Sequence, residues 1–153
     1  MKKINWKLLG ISFLVVIVVS LAGSFVNYSD NWYKSVKPSI SPPNWVFGVV
    51  WPILYFMIAL SIYYAFLNVK RKNKGKLIWL FGINLFGNGL WTILFFGMQN
   101  PVLAIIGLIV IWITTVLLVI YLWKFNKKAS VLLWPYLVWV SFAFVLNAMI
   151  VGG

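Results

Sequence analysis

Five long apolar runs separated by polar segments dominate the chain. They cover about residues 6–26, 44–68, 77–98, 101–123 and 130–150. Each approaches the ~20 residues an α-helix needs to cross the hydrocarbon core of a bilayer. Within the runs apolar residues are continuous rather than alternating, and five short strands would leave open edges in lipid. The pattern predicts an all-α fold: one membrane domain over 1–153, built as an integral bundle of five transmembrane helices.

The connections are unequal. Gln99 and Asn100 join the third and fourth runs, with Asn100 placed to cap the helix and Pro101 at its first position. The second connection, 69–76, carries Lys70, Arg71, Lys72, Lys74 and Lys76, and the fourth spans 124–129. The first, 27–43, is long for a compact bundle and contains Trp32, Tyr33, Pro38, Pro42 and Pro43. Long ordered loops often act as lids or binding loops. Asp30 is placed to cap a short helix over Trp32–Val36 that stops before Pro38.

Charge sharpens this picture. Thirteen Lys/Arg face a single acid, Asp30, for a net charge of +12. In a soluble protein that balance would suggest nucleic acid. Here the cations sit between apolar runs, as membrane-edge residues do, so no nucleic-acid partner is expected. The N-terminus and the second and fourth connections hold eleven basic residues, and the remaining segments hold two, Lys34 and Lys37. The positive-inside rule then places the N-terminus in the cytoplasm and the C-terminus and aromatic loop on the opposite side. Lys2, Lys3 and Lys7 before an apolar run also fit a signal peptide, although the run Leu8–Val26 is longer than a usual signal core.

Composition removes several chemistries. Without Cys or His there are no disulfides, thiol nucleophiles, zinc sites or usual haem axial ligands, so no metal site is expected. One acid cannot make a carboxylate pair. No resident cofactor and no conventional enzyme activity is expected.

The candidate chemistry lies in polar and aromatic stripes. Asn84, Gly87, Asn88, Trp91 and Phe95 share one face of the third helix. Trp139, Phe142, Ala143, Leu146, Asn147 and Ile150 follow the same spacing in the fifth, and Trp51, Tyr55 and Ala59 in the second. Unpaired amides are costly in hydrocarbon, so these faces meet protein or a cavity. Interhelical hydrogen bonding and a ligand cavity both satisfy that requirement. Pro52 and Pro135 lie beside the stripes, as ordinary kinks or as shaping around a pocket. A cavity lined by Trp51 and Trp139 under a lid carrying Trp32 would suit a flat aromatic ligand. Indole is easily oxidised, which makes Trp51 and Trp139 the candidates for photo-oxidative chemistry. Ser20 and Ser24 form a small-xxx-small pair compatible with close helix packing.

Three ordered motifs carry a resemblance. They are Trp32-Tyr33, Lys37-Pro38 and Pro42-Pro43-Asn44-Trp45-Val46-Phe47 leading into Val50-Trp51-Pro52-Ile53-Leu54-Tyr55; Asn88-Gly89-Leu90-Trp91-Thr92-Ile93-Leu94-Phe95-Phe96-Gly97; and Pro135-Tyr136-Leu137-Val138-Trp139-Val140-Ser141-Phe142-Ala143 followed by Leu146-Asn147. From the first loop to the last helix the chain resembles the tryptophan-rich sensory protein/translocator protein family (TspO/MBR, the peripheral-type benzodiazepine receptor family). The resemblance implies a retained first helix, a five-helix fold that is often a homodimer, and receptor or sensor function in the lipid bilayer. It implies binding of tetrapyrroles such as protoporphyrin IX and of synthetic isoquinoline carboxamide and benzodiazepine-type ligands, with light-dependent porphyrin breakdown. Passive transport of such hydrophobic ligands is the alternative. The family pocket places Trp51, Asn84, Trp139 and Ala143 in its wall and Trp32 in the covering loop. Tyr55, Asn88, Phe142 and Asn147 share those faces; Lys34 or Lys37 either meets a ligand carboxylate or is a solvated loop lysine. Asn84 stands where many members have Gln, and the family's C-terminal cholesterol-associated segment is not reproduced. Val119–Lys124 fits only the loose cholesterol pattern.

Overall fold

The computed structural model describes residues 4–21 and 30–153, apart from the side chains of Asp30 and Asn68. The end of the first apolar run, Ser24, and the capping role expected of Asp30 therefore lie outside the described residues. Every regular element among the described residues is a helix: α1 (Trp6–Ser20), α2 (Asp30–Val36), α3 (Asn44–Asn68), α4 (Arg71–Thr92), α5 (Pro101–Trp123), α6 (Lys127–Val131) and α7 (Trp134–Gly152). Four segments, of 24, 27, 23 and 26 residues, are long and apolar enough to cross a membrane; they run along α3, α4, α5 and α6–α7. With the shorter apolar α1 they form the expected five-helix membrane bundle, and the chain is a multi-pass integral membrane protein.

Local chemistry sets the helix ends. Asn5 accepts from the Leu8 amide (3.0 Å) and Asn100 from the Leu103 amide (3.0 Å), each side chain satisfying one of the orphan N–H groups at a helix start. Pro101 needs no such partner, and α5 has the expected bounds. The basic segment 69–76 differs from expectation. It was predicted as a connection, yet α4 begins at Arg71, directly after the extended Lys70. Lys and Arg are good helix formers, so the helix continues past the apolar boundary into the polar layer. The last apolar run is broken as well. Pro135 lacks an N–H, and a continuous helix would press its ring against the Val131 carbonyl, so α6 stops at Val131 and α7 starts afresh at Trp134. At its far end α4 widens into a π-turn over Ile93–Gly97, with the Met98 amide donating to the Ile93 carbonyl (2.8 Å).

α5 packs against α4 on one side and α7 on the other, while α1 packs on α3. Small residues bring α4 and α5 together. A Cβ on Gly107 would lie 3.3 Å from the Trp91 Cβ and 3.4 Å from its Cα, and one on Gly87 would lie 3.2 Å from Ile111 Cγ1. α6 is tied down by three bonds: Ser61 Oγ to the Ala129 carbonyl (2.7 Å), Ser130 Oγ to the Val119 carbonyl (2.8 Å) and Asn126 Nδ2 to the Tyr64 carbonyl (2.9 Å). α3 and α7 meet only sparsely.

A buried polar seam crosses the bundle. Tyr55 donates to Asn88 Oδ1 (2.7 Å), Asn88 Nδ2 to the Tyr136 hydroxyl (2.9 Å), and Tyr136 to Asn84 Oδ1 (3.2 Å). Asn84 Nδ2 completes the run on Thr114 Oγ1 (2.9 Å), Thr115 Oγ1 (2.9 Å) and the Ile111 carbonyl (3.1 Å). One continuous chain of donors thus links α3, α4, α7 and α5. Outward the pattern is inverted relative to a soluble protein: Trp79, Phe86 and Val138 are 72%, 70% and 66% exposed, as lipid-facing residues are.

Gly107→Val is expected to lower stability by about 1–3 kcal/mol through overpacking against the Trp91 backbone. Gly48→Val, where an added Cβ meets nothing within 4 Å, serves as the control. Denaturant titration in detergent micelles followed by circular dichroism measures both, and the Gly107 variant is the one expected to unfold first.

Candidate functional site

Aromatic rings gather where α2, the start of α3, the π-turn of α4 and α7 converge. Trp32 of α2 stands edge-on to Phe95 (5.3 Å between centroids), and Tyr33 meets Phe47, Phe95 and Phe96 at 6.2, 6.2 and 6.1 Å. Phe95 stacks on Trp91 (5.3 Å, 22°), and Trp91 lies 6.1 Å from Trp51, which is 5.5 Å from Tyr55. On the other side Phe47 meets Trp139 (5.6 Å), and Trp139 meets Phe142 (5.7 Å). Trp51 and Trp139 are therefore joined through a chain of rings, with α2 laid across it.

The space inside this cluster is small. A cavity of about 20 Å³ is bounded by Tyr33, Phe47, Trp91, Phe95, Phe96, Ala143, Leu146, Asn147 and Ile150. That is room for about one water molecule. Larger spaces flank it. A groove of about 480 Å³ between α1 and α3 reaches Trp51, Tyr55 and Phe47, and one of about 520 Å³ between α3 and α7 reaches Trp139. The two tryptophans thus each form part of a groove wall, on opposite sides of α3.

Polar groups divide into two sets. Asn84, Asn88 and the Tyr55 hydroxyl belong to the seam and have their hydrogen bonds with neighbouring helices. Asn147, buried in α7, stands beside the aromatic cluster; it accepts from Trp91 Nε1 (3.4 Å) and donates to the Pro101 carbonyl (2.7 Å). Trp139 Nε1 differs from all of these. It is buried and has no hydrogen-bond partner among the described residues. An unmade bond at a buried N–H is expensive.

Of the residues singled out from sequence, Trp32, Trp51, Trp139, Phe142, Ala143 and Asn147 fall in or beside the cluster, and Tyr55 joins cluster to seam. Asn84 and Asn88 lie in the seam. Three cluster residues were not among the candidates. Phe47 stands four residues before Trp51, so its helical spacing already places it on that face. Phe96 is different: in a regular α-helix it points about 100° away from Phe95, and the π-turn rewinds the backbone so that both rings meet Tyr33. Tyr33 sat in the loop motif without any periodicity to orient it.

The TspO/MBR family model matches residues 11–152. The chain belongs to the TspO/MBR family. It is 41% identical over 139 residues to the tryptophan-rich protein TspO of Archaeoglobus fulgidus, covering 89% of this chain and 90% of that protein. The tryptophan-rich sensory protein of Cereibacter sphaeroides is 33% identical over 119 residues (77% and 73%). The human translocator protein is 29% identical over 119 residues (76% and 71%). The matched span includes every residue of the ring cluster.

Tyr33 gives the cluster a pH signature. Burial raises its phenol above the ordinary value of 10.0. A raised acid pKa stabilises the neutral, docked form; that stability is complete below pH 10 and is lost as pH rises towards the folded value. Alkaline titration followed by tryptophan fluorescence should report loosening of α2 above pH 10, and Tyr33→Phe should abolish that step.

Proposed function

We propose that this TspO/MBR membrane protein is a receptor or sensor for flat, hydrophobic, acceptor-bearing ligands of the tetrapyrrole class, such as protoporphyrin IX. Synthetic isoquinoline carboxamide and benzodiazepine-type compounds fit the same description. The observation that carries this reading is the buried, unpartnered Trp139 Nε1 within a cluster of rings. Stacking surfaces for a π-system come from Trp51, Trp91 and Trp139, and a ligand carbonyl or carboxylate would complete the orphan donor. The cavity is too small for a macrocycle, so binding requires α2 to lift and the rings of Phe47 and Phe95 to separate. Trp32 would then close over the ligand, and Lys34 or Lys37, on and beside the lid helix, would meet its carboxylates. Ala143 keeps the α7 wall low beneath it. In this reading Asn84 and Asn88 hold the walls in place through the seam and do not touch the ligand. In light, an electron passing from Trp51 or Trp139 to the photoexcited macrocycle would leave an indole radical cation and a porphyrin radical anion, the first step of a breakdown in which dissolved dioxygen is the oxidant.

Fluorescence-quenching titration with protoporphyrin IX tests the site. Trp139→Phe keeps the ring and removes the N–H, and should weaken binding about fivefold to tenfold, as loss of one hydrogen bond implies. The Trp51→Phe/Trp139→Phe pair should also slow the light-dependent loss of porphyrin absorbance. Unchanged binding and unchanged loss in the double variant would remove both residues from the site.

A passive transporter is the second reading, favoured by the grooves that lead from Trp51 and Trp139 towards the bilayer on either side of α3. Porphyrin flux into sealed proteoliposomes separates transporter from receptor. The cation distribution supports a cytoplasmic N-terminus, with the aromatic lid and C-terminus on the opposite side. A C-terminal reporter that is active only in the cytoplasm should therefore stay silent. Close packing of two copies, as a homodimer, belongs to this reading too; crosslinking in membranes tests it.

A further inference from the structure

The basic end of the bundle carries a feature that the ring cluster does not use. Between α1, α3 and α4 lies an almost wholly apolar groove of about 360 Å³, within the ~300–1,000 Å³ range of small-molecule sites. Its floor is Ile62, Phe81 and Leu85, all buried, while Ile11, Val15 and Ile78 form an exposed rim. A Cβ added at Gly82 would meet nothing within 4 Å, so the space is open there. Ser12, the polar residue of the wall, already donates to the Leu8 carbonyl (2.9 Å) and asks nothing of a guest.

Cations stand at one end of this groove. On α4, Arg71 and Lys74 precede Ile78, Phe81 and Leu85 at helical spacing, so they share the groove's face just beyond its mouth. On α1, Lys7 stands one turn before Ile11. From Lys74 to Leu85 the helix rises about 16 Å, close to the ~15 Å thickness of one leaflet. The first turn of α4 carries no acidic residue and no side-chain cap, so the positive end of its dipole adds to the same field. The chain's one acid, Asp30, belongs to the connection at the opposite ends of α1 and α3. Among the described residues no acidic side chain stands at this corner.

We propose that the groove is a specific site for a phospholipid with an anionic headgroup. One acyl chain lies between α1, α3 and α4, and the phosphate meets Lys7, Arg71 and Lys74. A free phosphate ester shares the headgroup chemistry but has no use for the groove.

Native mass spectrometry of the full-length, delipidated protein tests this, with phosphatidylglycerol, phosphatidylcholine of matched chains and glycerol 3-phosphate as probes. One phosphatidylglycerol per chain should be retained in preference to phosphatidylcholine. Lys7→Gln/Arg71→Gln/Lys74→Gln should weaken that retention at least about tenfold. Lys124→Gln/Lys127→Gln/Lys128→Gln removes as many charges from the same end but away from the groove, and should change it by less than about twofold. Gly82→Leu, which fills the groove, should reduce retention of both lipids. Should the first triple variant not fold, titration of the wild type at ~1 M salt, where the Debye length is ~3 Å, must erase the preference for phosphatidylglycerol. Equal loss in the two triple variants, full retention in Gly82→Leu, or glycerol 3-phosphate binding as tightly as the lipid would each overturn the proposal.

Discussion

An amide in hydrocarbon has no water to turn to, and leaving it unpaired costs several kcal/mol. Two asparagines in the middle of α4 face that constraint, and the bundle is arranged around its solution. Asn88 receives from Tyr55 and gives to Tyr136; Asn84 receives from Tyr136 and gives to the two threonines of α5. Each donor polarises the next, which strengthens the run beyond its separate bonds. Bonds of this kind between membrane helices contribute roughly 0.6–2 kcal/mol each, and here they fix the azimuth of α3, α4, α5 and α7 together. The tight contact of Gly107 with Trp91 depends on that azimuth.

With the seam set, the aromatic end of the bundle has little freedom. Trp91 is held by Asn147 on one side and Gly107 on the other, and it carries Phe95 and the π-turn with it. Those rings form the platform on which α2 rests. Among the described residues α3 and α7 have no comparable bond between them; at their aromatic ends they meet through Phe47 and Trp139. The molecule thus combines a polar seam of fixed geometry with an aromatic junction in which the ring of Phe47 meets that of Trp139. On the proposed function a ligand would part the junction without touching the seam, and Trp139 Nε1 would be the group that gains most.

Much of this was legible in the sequence, for identifiable reasons. The bounds of α5 follow from Asn100 and Pro101, whose cap and missing N–H mark a helix start. The stripes on α3, α4 and α7 identified the inward faces because polar groups have nowhere else to go in lipid. What the stripes left open was the partner. An asparagine facing a cavity and one facing Thr114 look alike along the chain, and only the packing separates Asn84 and Asn88 from Asn147. The early start of α4 escaped because hydropathy marks the edge of the membrane, not the end of a helix that continues into the polar layer. The break before Trp134 was signalled by Pro135, but the apolar residues on both sides of it concealed the interruption. Phe96 was hidden by the π-turn, which changes the angular spacing on which pattern reading rests.

On the proposed function α2 and the aromatic junction open for a flat ligand while the seam stays closed. The chain has no cysteine, so pairs of introduced thiols can be spin-labelled cleanly. Labels on exposed Ser35 of α2 and Val138 of α7 report the junction; labels on exposed Ile83 of α4 and Ile113 of α5 report two of the four helices that the seam joins. On saturation with protoporphyrin IX, electron–electron resonance distances should shift by more than about 2 Å for the first pair and stay constant for the second. An unchanged first distance at saturation, or an equal shift in both, would contradict the account.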